Sequence, residues 1–402
     1  MPAIAGQNPP EIPEVAWSAS WAYSTANFQS TAGGNRIYLA IPRPGEPDLP
    51  GDTELNENTR GKLRFGIFDW IELDGSPASD IYGERLRMLE YADQHGFYSY
   101  QLAEHHLTPL SLAPSPGIFL SAACQRTKTI RLGPLVYLLP FYNPLRLLHE
   151  ICMLDQLSHG RLDLGLGRGI VPMEAEPFGV DLDKSWETFH ESLAVLMAGF
   201  TQEVLNYEGE YYSYKDLKIW IRPYQQPHPP IWYASNNIET VPWIAQHGIN
   251  TSHVFAPSSA AKAHYDLYKQ IWEEHRGDDN RLNSGVNEPL LGLTRHVYIA
   301  ATNQQAIAES REAFNVWFYN INYLWDQAGS DALSFVRDFD ALLDQGVIIA
   351  GSPESVREQV QRAVDETGIN YFSSIFAWGN LTHQQVMRSM DFFVKDVMSR
   401  VS

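Results

Sequence analysis

Residues 130–169 read IRLGPLVYLLPFYNPLRLLHEICMLDQLSHGRLDLGLGRG and hold one complete structural unit. IRLGPLVYLLP reads as a short apolar strand. NPLRLLHEICMLDQLSHG reads as a helix. Its Asn143 is a side-chain cap, its Pro144 sits in the first turn where no N–H is needed, and its Gly160 can end the helix in a left-handed turn. RLDLGLGRG is then a second strand. A strand, a helical crossover and a strand place two parallel neighbours in one sheet.

The same rhythm extends both ways. Upstream lie the strand LRFGIFDW, the helix DIYGERLRMLEYADQHG, the strand YSYQLAEHH and the helix SPGIFLSAACQRT. Downstream come the helix WETFHESLAVLMAGFT and the strands IWYAS, INTSHVF, LTRHVYIAAT and NYFSSIFAW, with further helices between them. Thr302 with Gln305, and Thr382 with Gln385, stand at capping-box spacing. Eight strands alternating with helices favour an α/β fold of the closed (β/α)8 TIM-barrel type over an open doubly wound sheet. No Gly-x-Gly-x-x-Gly follows the first strand, and the glycines of residues 165–169 have a different spacing, so a nicotinamide-dinucleotide opening is not expected.

Two segments depart from the rhythm. Residues 1–60 hold 8 of the 25 prolines, yet also Trp17, Trp21, Tyr23 and Phe28. They read as an N-terminal extended arm, with residues 61–402 as the barrel domain. Between the fourth and fifth units, EVLNYEGEYYSYKDLKIWIRPYQQPHPP is rich in aromatics and reads as a hairpin covering one barrel end.

Composition narrows the function classes. The chain has 402 residues, of which 48 are Asp or Glu and 29 Lys or Arg, a formal charge of −19. Without a Lys/Arg run, nucleic acid and anionic membrane surfaces are poor partners. No stretch of about 18 apolar residues appears, so no membrane span is expected. The two cysteines, Cys124 and Cys152, fall in helical segments, and the N-terminus lacks a signal-peptide pattern. A reducing cytoplasm fits.

In such a barrel the chemistry lies at the C-terminal ends of the strands. The second strand ends in Glu104-His105-His106. Alternation along the strand sends Ser99, Gln101, Ala103 and His105 inward, while Tyr98, Tyr100 and Leu102 face the helices. Consecutive strand residues point apart and chelate one ion poorly, so no metal is expected. A proton-transferring His105 and a structural, hydrogen-bonded His both remain open. The fourth strand ends with Gly165, Gly167 and Gly169 around Arg168, whose fork suits a phosphate. The fifth ends in a loop with Ser235, Asn236 and Thr240 at a helix start, where free N–H groups attract an anion. Trp70, Tyr137 and Trp378 end strands one, three and eight and are candidates for an apolar substrate pocket, or for simple end packing.

The run EHH, the stretch NPLRLLHEICMLDQLSHGRLDLGLGRG and the stretch PHPPIWYASNNIET together resemble the bacterial luciferase-like flavin monooxygenases. The resemblance spans about residue 63 to the C-terminus. It implies a barrel whose mouth binds reduced FMN, or a deazaflavin in some branches. It implies that His105 is the active-site histidine with His106 beside it, that Arg168, Ser235, Asn236 and Thr240 hold the flavin phosphate, and that Gly167 adjoins it. It implies a cis peptide between Leu135 and Val136 beneath the flavin ring. It further implies a homodimer and oxidation of a small apolar substrate by dioxygen through a peroxyflavin, and because the chain has no nicotinamide fingerprint the reduced flavin is expected from a separate flavin reductase. Luciferase proper has a Cys where this chain has Gly167, so light emission is not expected. A deazaflavin-dependent hydride transfer is the main alternative. A barrel glycosidase lacks a second strand-end carboxylate, and a flavin carrier without turnover would not need His105.

Overall fold

Tyr371 fills the floor of a ring of parallel strands, and the ring is built to receive it. A Cβ at Gly66 would lie 1.9 Å from its hydroxyl, and one at Gly292 would lie 2.5 Å from its ring. Its hydroxyl meets Ser99 Oγ at 2.8 Å and donates to Gln101 Oε1 at 3.2 Å, so Ser99 and Gln101 do face inward.

The computed structural model describes residues 63–401. The expected arm over residues 1–60 lies outside the described residues. The strands are β1 (Arg64–Asp69), β2 (Ser99–Leu102), β3 (Arg131–Pro134), β4 (Tyr137–Leu138), β5 (Leu164–Gly167), β6 (Val204–Glu208), β7 (Ser213–Lys218), β8 (Ile231–Trp232), β9 (Thr251–Val254), β10 (Leu291–Ile299), β11 (Ile348–Gly351) and β12 (Tyr371–Ile375). The helices are α1 (Ala78–Gln94), α2 (Pro116–Arg126), α3 (Pro144–Leu157), α4 (Pro172–Ala175), α5 (Ser185–Thr201), α6 (Val241–Gln246), α7 (Ser258–His275), α8 (Asn303–Gln327), α9 (Phe339–Asp344), α10 (Pro353–Thr367) and α11 (His383–Phe392).

Parallel pairing runs β9–β10–β12–β1–β2–β3. It passes to the β5 strand through a bridge between Leu132 and Leu162, continues from β5 to β8, and returns to the start of β9 through a bridge between Trp232 and Asn250. The fold is the α/β barrel that the strand count implied. The helix caps follow the sequence signals. Asn143 Oδ1 accepts the N–H groups of Leu145 and Arg146 at 3.1 and 3.2 Å. Gly160 takes φ +80°, and Thr382 with Gln385 forms the reciprocal capping box.

The aromatic-rich insertion forms the antiparallel hairpin β6–β7, which lies along α5. Glu191 of α5 accepts the N–H groups of Glu210, Tyr211 and Tyr212 at its turn, and Arg222 beyond it donates to Gly199 O at 2.8 Å. Also, a short strand, β11, had no counterpart in the eightfold reading. It joins the outer half of the long β10, with His296 opposite Ile348 and Ile299 opposite Gly351.

Candidate functional site

A cleft of about 780 Å³ opens where the C-terminal ends of β2, β4, β5, β8 and β9 converge. Its walls include His105, Val136, Gly167, Arg168, Ser235, Asn236 and Thr240, seven residues singled out from sequence. Glu174, Trp186, Tyr233 and Trp243 also line it and were not foreseen.

His105 is the titratable centre of this cleft. Its Nδ1 lies 2.9 Å from Glu174 Oε1, and Glu174 is 3% exposed. A carboxylate can only accept here, so Nδ1 carries the hydrogen and Nε2 is left to exchange a proton. Burial pulls the imidazolium pKa down, but the charge of Glu174, its hydrogen bond and the more distant Glu104 together raise it above the ordinary value.

The other half of the Glu-His-His cluster forms a supporting network. His106 Nε2 is 2.8 Å from Glu104 Oε1, while Glu104 Oε2 accepts from the Tyr142 hydroxyl at 2.9 Å and from Leu138 N at 3.2 Å. Burial raises the Glu104 pKa against the pull of these donors. His106 is also stacked on Phe141 and set edge-on to Phe178, so it does not line the cleft. The network ties the end of β2 to β4.

Close backbone approach shapes the opposite wall. A Cβ on Gly167 would lie 2.2 Å from Val136 Cγ2, so glycine lets β5 meet the β3–β4 junction. The peptide between Leu135 and Val136 is cis. Val136 and Leu138 face the cleft, while Leu135 is buried behind them. Tyr137 therefore points the other way. Its hydroxyl donates to Glu150 Oε1 at 3.0 Å on α3, which removes it from any pocket at the mouth.

Among the described residues, Arg168 is the one guanidinium lining the cleft. Its Nη1 donates to Ser185 Oγ at 3.1 Å, the polar contact that holds it. It also pulls down the Tyr233 pKa, which burial raises. The loop at residues 235–240 is more self-contained than its sequence suggested. Asn237 N donates to Ser235 Oγ, Glu239 N to Asn237 Oδ1 and Thr240 N to Asn237 O. Asn236 Nδ2 is bound to Val254 O. An anion in this cleft would thus meet chiefly Arg168 and the Ser235–Asn236 corner.

Trp70 and Trp378 come together, but behind the cleft rather than on it. Both contact the ring of His296, at 5.6 and 4.9 Å between centroids. Among the described residues no group of three or more His, Cys, Asp or Glu is arranged to hold a metal ion. No helix among them is long and apolar enough to cross a membrane.

An uncharacterized protein of Sinorhizobium fredii, y4wF, is 36% identical over 85% of this chain and 98% of its own length. The oxygenase component of the flavin-dependent trigonelline monooxygenase of Acinetobacter baylyi is 26% identical over 64% of this chain and 72% of that protein. Among solved structures, the oxygenating constituent of 3,6-diketocamphane monooxygenase from Pseudomonas putida, a type II Baeyer-Villiger monooxygenase in complex with FMN, superposes with a TM-score of 0.70 at 21% identity, covering 85% of this chain and 99% of that one. Residues 63–371 match the luciferase-like monooxygenase family, and the chain belongs to it.

Proposed function

We propose that this protein is the oxygenase of a two-component system, using reduced FMN and dioxygen to oxidise a small apolar substrate. The observation that carries this reading is the single cleft that gathers a carboxylate-held histidine, an Arg with room for an anion, and the glycine-lined wall at Val136. These residues fit a flavin mononucleotide. Arg168 with Ser235 and Asn236 would hold the phosphate, Val136 and Gly167 would support the flat ring system, and Trp186 and Trp243 would close the rim. When bound, the reduced flavin supplies the activation of dioxygen.

The chain's own part is binding, orientation and proton handling. Glu174 fixes His105 with Nδ1 protonated, so Nε2 can hold a proton at the cleft and pass it to or from a substrate oxygen. Glu104 and His106 lock the strand end that carries it. The name of the Acinetobacter relative, an oxygenase component, supports reduced flavin arriving from a separate reductase. The outward faces of α2 and α3 support a homodimer. Ile118, Met153 and Leu157 are 76%, 54% and 43% exposed and border one groove of about 580 Å³.

The test is an anaerobic titration with photoreduced FMN and, separately, with a reduced deazaflavin, followed by mixing with ¹⁸O-labelled dioxygen and substrate candidates. FMN binding with label in the product supports the reading. Deazaflavin binding with substrate reduction in the absence of dioxygen replaces it.

A further inference from the structure

His264 of α7 stands between its own helix and the Ser235–Asn236 corner of the cleft. Its Nδ1 lies 2.8 Å from Ala260 O, one turn back on α7, and its Nε2 lies 3.1 Å from Asn236 O. Both partners are main-chain carbonyls, which only accept. A neutral imidazole carries one N–H, so one of the two contacts would set a ring lone pair against a carbonyl lone pair. The imidazolium carries two and donates to both. The geometry satisfies the charged ring fully and the neutral ring by half. The residue is buried, so a donor lost here is costly.

The contact to Asn236 reaches the cleft through one peptide plane. Asn236 O and Asn237 N belong to the same trans peptide, so they point to opposite sides. With the carbonyl turned to His264, the Asn237 N–H is turned to Ser235 and donates to its Oγ at 3.1 Å. A serine oxygen that accepts this bond keeps its own hydrogen for a further acceptor, and Ser235 lines the cleft. The Asn236 side chain anchors the corner independently, its Nδ2 donating to Val254 O on β9 at 2.7 Å. Of these two anchors, only the one from His264 can be lost by titration.

The surroundings of the ring leave its charge to the solution. His253 of β9 meets it edge-on at 4.4 Å between centroids. Burial, with the charges of His264 and Arg295, lowers the His253 pKa to about 3, so His253 stays neutral. The buried Arg295 guanidinium of β10 donates to Thr294 O and Ala256 O. The Tyr265 hydroxyl, from the next residue of α7, donates to Gly292 O. Lys262 and Asp266, two residues to either side on α7, are exposed and pair with each other. Among the described residues the histidines paired with carboxylates are His105, His106 and His275, and His264 is not one of them. Histidine is the side chain that ordinarily changes charge between pH 5 and 8.

We propose that His264 is a positioning residue and a pH-dependent latch: as imidazolium it ties the Asn236–Asn237 peptide to α7 and so sets Ser235 to donate to an anion, and on losing a proton it keeps the shorter bond to Ala260 and lets the corner go. The hold of the cleft on a phosphate-bearing ligand thus falls as pH rises through the His264 titration. The inference rests on the flavin reading above for calling that ligand FMN, but the latch itself is read out without flavin.

The experiment has a ligand-free and a ligand-bound arm, both on the full chain. In the first, NMR follows the His264 ring and the Asn237 amide from pH 5 to 8.5. The amide should shift along the ring's titration in wild type and stay flat in His264→Gln, whose side-chain amide can donate to Asn236 O at every pH. In the second, FMN and riboflavin are titrated by fluorescence quenching over the same range. The FMN phosphate itself gains charge near pH 6, an effect common to both proteins, so the ratio of wild-type to His264→Gln Kd isolates the latch. That ratio should rise about fivefold from pH 5.5 to 8.5 for FMN, the equivalent of one hydrogen bond of about 1 kcal/mol, and stay constant for riboflavin. An Asn237 amide that ignores the ring's titration overturns the proposal, as does an FMN ratio that stays constant although FMN binds more tightly than riboflavin. A coupled amide with FMN bound no more tightly than riboflavin at any pH leaves the latch standing and removes the flavin phosphate from this corner.

Discussion

His105 Nδ1 and Glu174 Oε1 lie 2.9 Å apart, joining the end of β2 to the short helix α4 across 69 residues of chain. The pair makes His105 easier to protonate than a free imidazole, and removing the charge reverses that. Glu174→Gln should therefore move the His105 titration, and the limb of the activity profile that reports it, to lower pH, because burial then acts unopposed by its nearest charge. NMR titration of the His105 ring, alongside the rate profile, checks this. His105→Ala should lower turnover by about 10²–10⁴ with reduced FMN supplied. A wild-type rate in His105→Ala would remove the histidine from the chemistry.

Among the described residues, the Ser185 hydroxyl is the one polar contact of the Arg168 guanidinium, which leaves its charge for a ligand. A charge-assisted hydrogen bond contributes about 1.5–3 kcal/mol, or roughly 10–100-fold in affinity. Arg168→Ala should weaken FMN by that factor and leave riboflavin, which has no phosphate, nearly unchanged. Fluorescence quenching titrations of the two flavins give the comparison. Equal losses for both would move the phosphate elsewhere in the cleft.

Most of this site was legible because it follows from alternation along strands. The inward set Ser99, Gln101 and His105 came from the period of two, and Tyr371 and the cleft confirm which way they face. The same rule, carried to the third strand, explains Tyr137: Val136 and Leu138 face the cleft, so the residue between them cannot. Glu174 gave no signal, since its short helix carries no period and its partner is distant in sequence. The loop at residues 235–240 looked like a set of free amides because its residue types suit caps, and sequence does not show that Asn237 and Ser235 use those amides internally. His296 and Trp317 were invisible as a pair, because β10 and α8 bring them together only in three dimensions.

The α2–α3 face makes a third expectation. Ile118 at 76% exposure and Met153 at 54% would cost little to bury and gain little from water as they stand. If α2 and α3 form the proposed dimer interface, single changes Ile118→Glu and Met153→Glu put a charge into it, where desolvation without a partner is costly. Light scattering coupled to size exclusion should show wild-type dimer and variant monomer at micromolar protein, with far-UV circular dichroism unchanged. Wild-type mass equal to one chain at high concentration would remove the dimer.

Glu72 supplies the pH dependence of the fold itself. It is 1% exposed, and burial raises its pKa from the ordinary 4.5 to about 7 against the pull of Asn320, the Gly379 amide and Arg85, with Asp69 adding a smaller upward push. The folded state thus holds this proton more tightly than the unfolded chain does. The stabilisation is complete below about pH 4.5 and is lost as pH rises through about 7. At 1.36 kcal/mol per pH unit, the loss across that window is on the order of 3 kcal/mol. Glu72→Gln cannot ionise. It loses the acceptor for Asn320 and starts less stable by about 1–3 kcal/mol, but this part of the pH dependence should vanish. Urea unfolding at pH 5, 6, 7 and 8 separates the two effects: a uniform offset reports the lost hydrogen bond, and a narrowing gap between variant and wild type toward pH 8 reports the proton. Parallel curves at all four values would mean that Glu72 titrates in the folded state as it does in water.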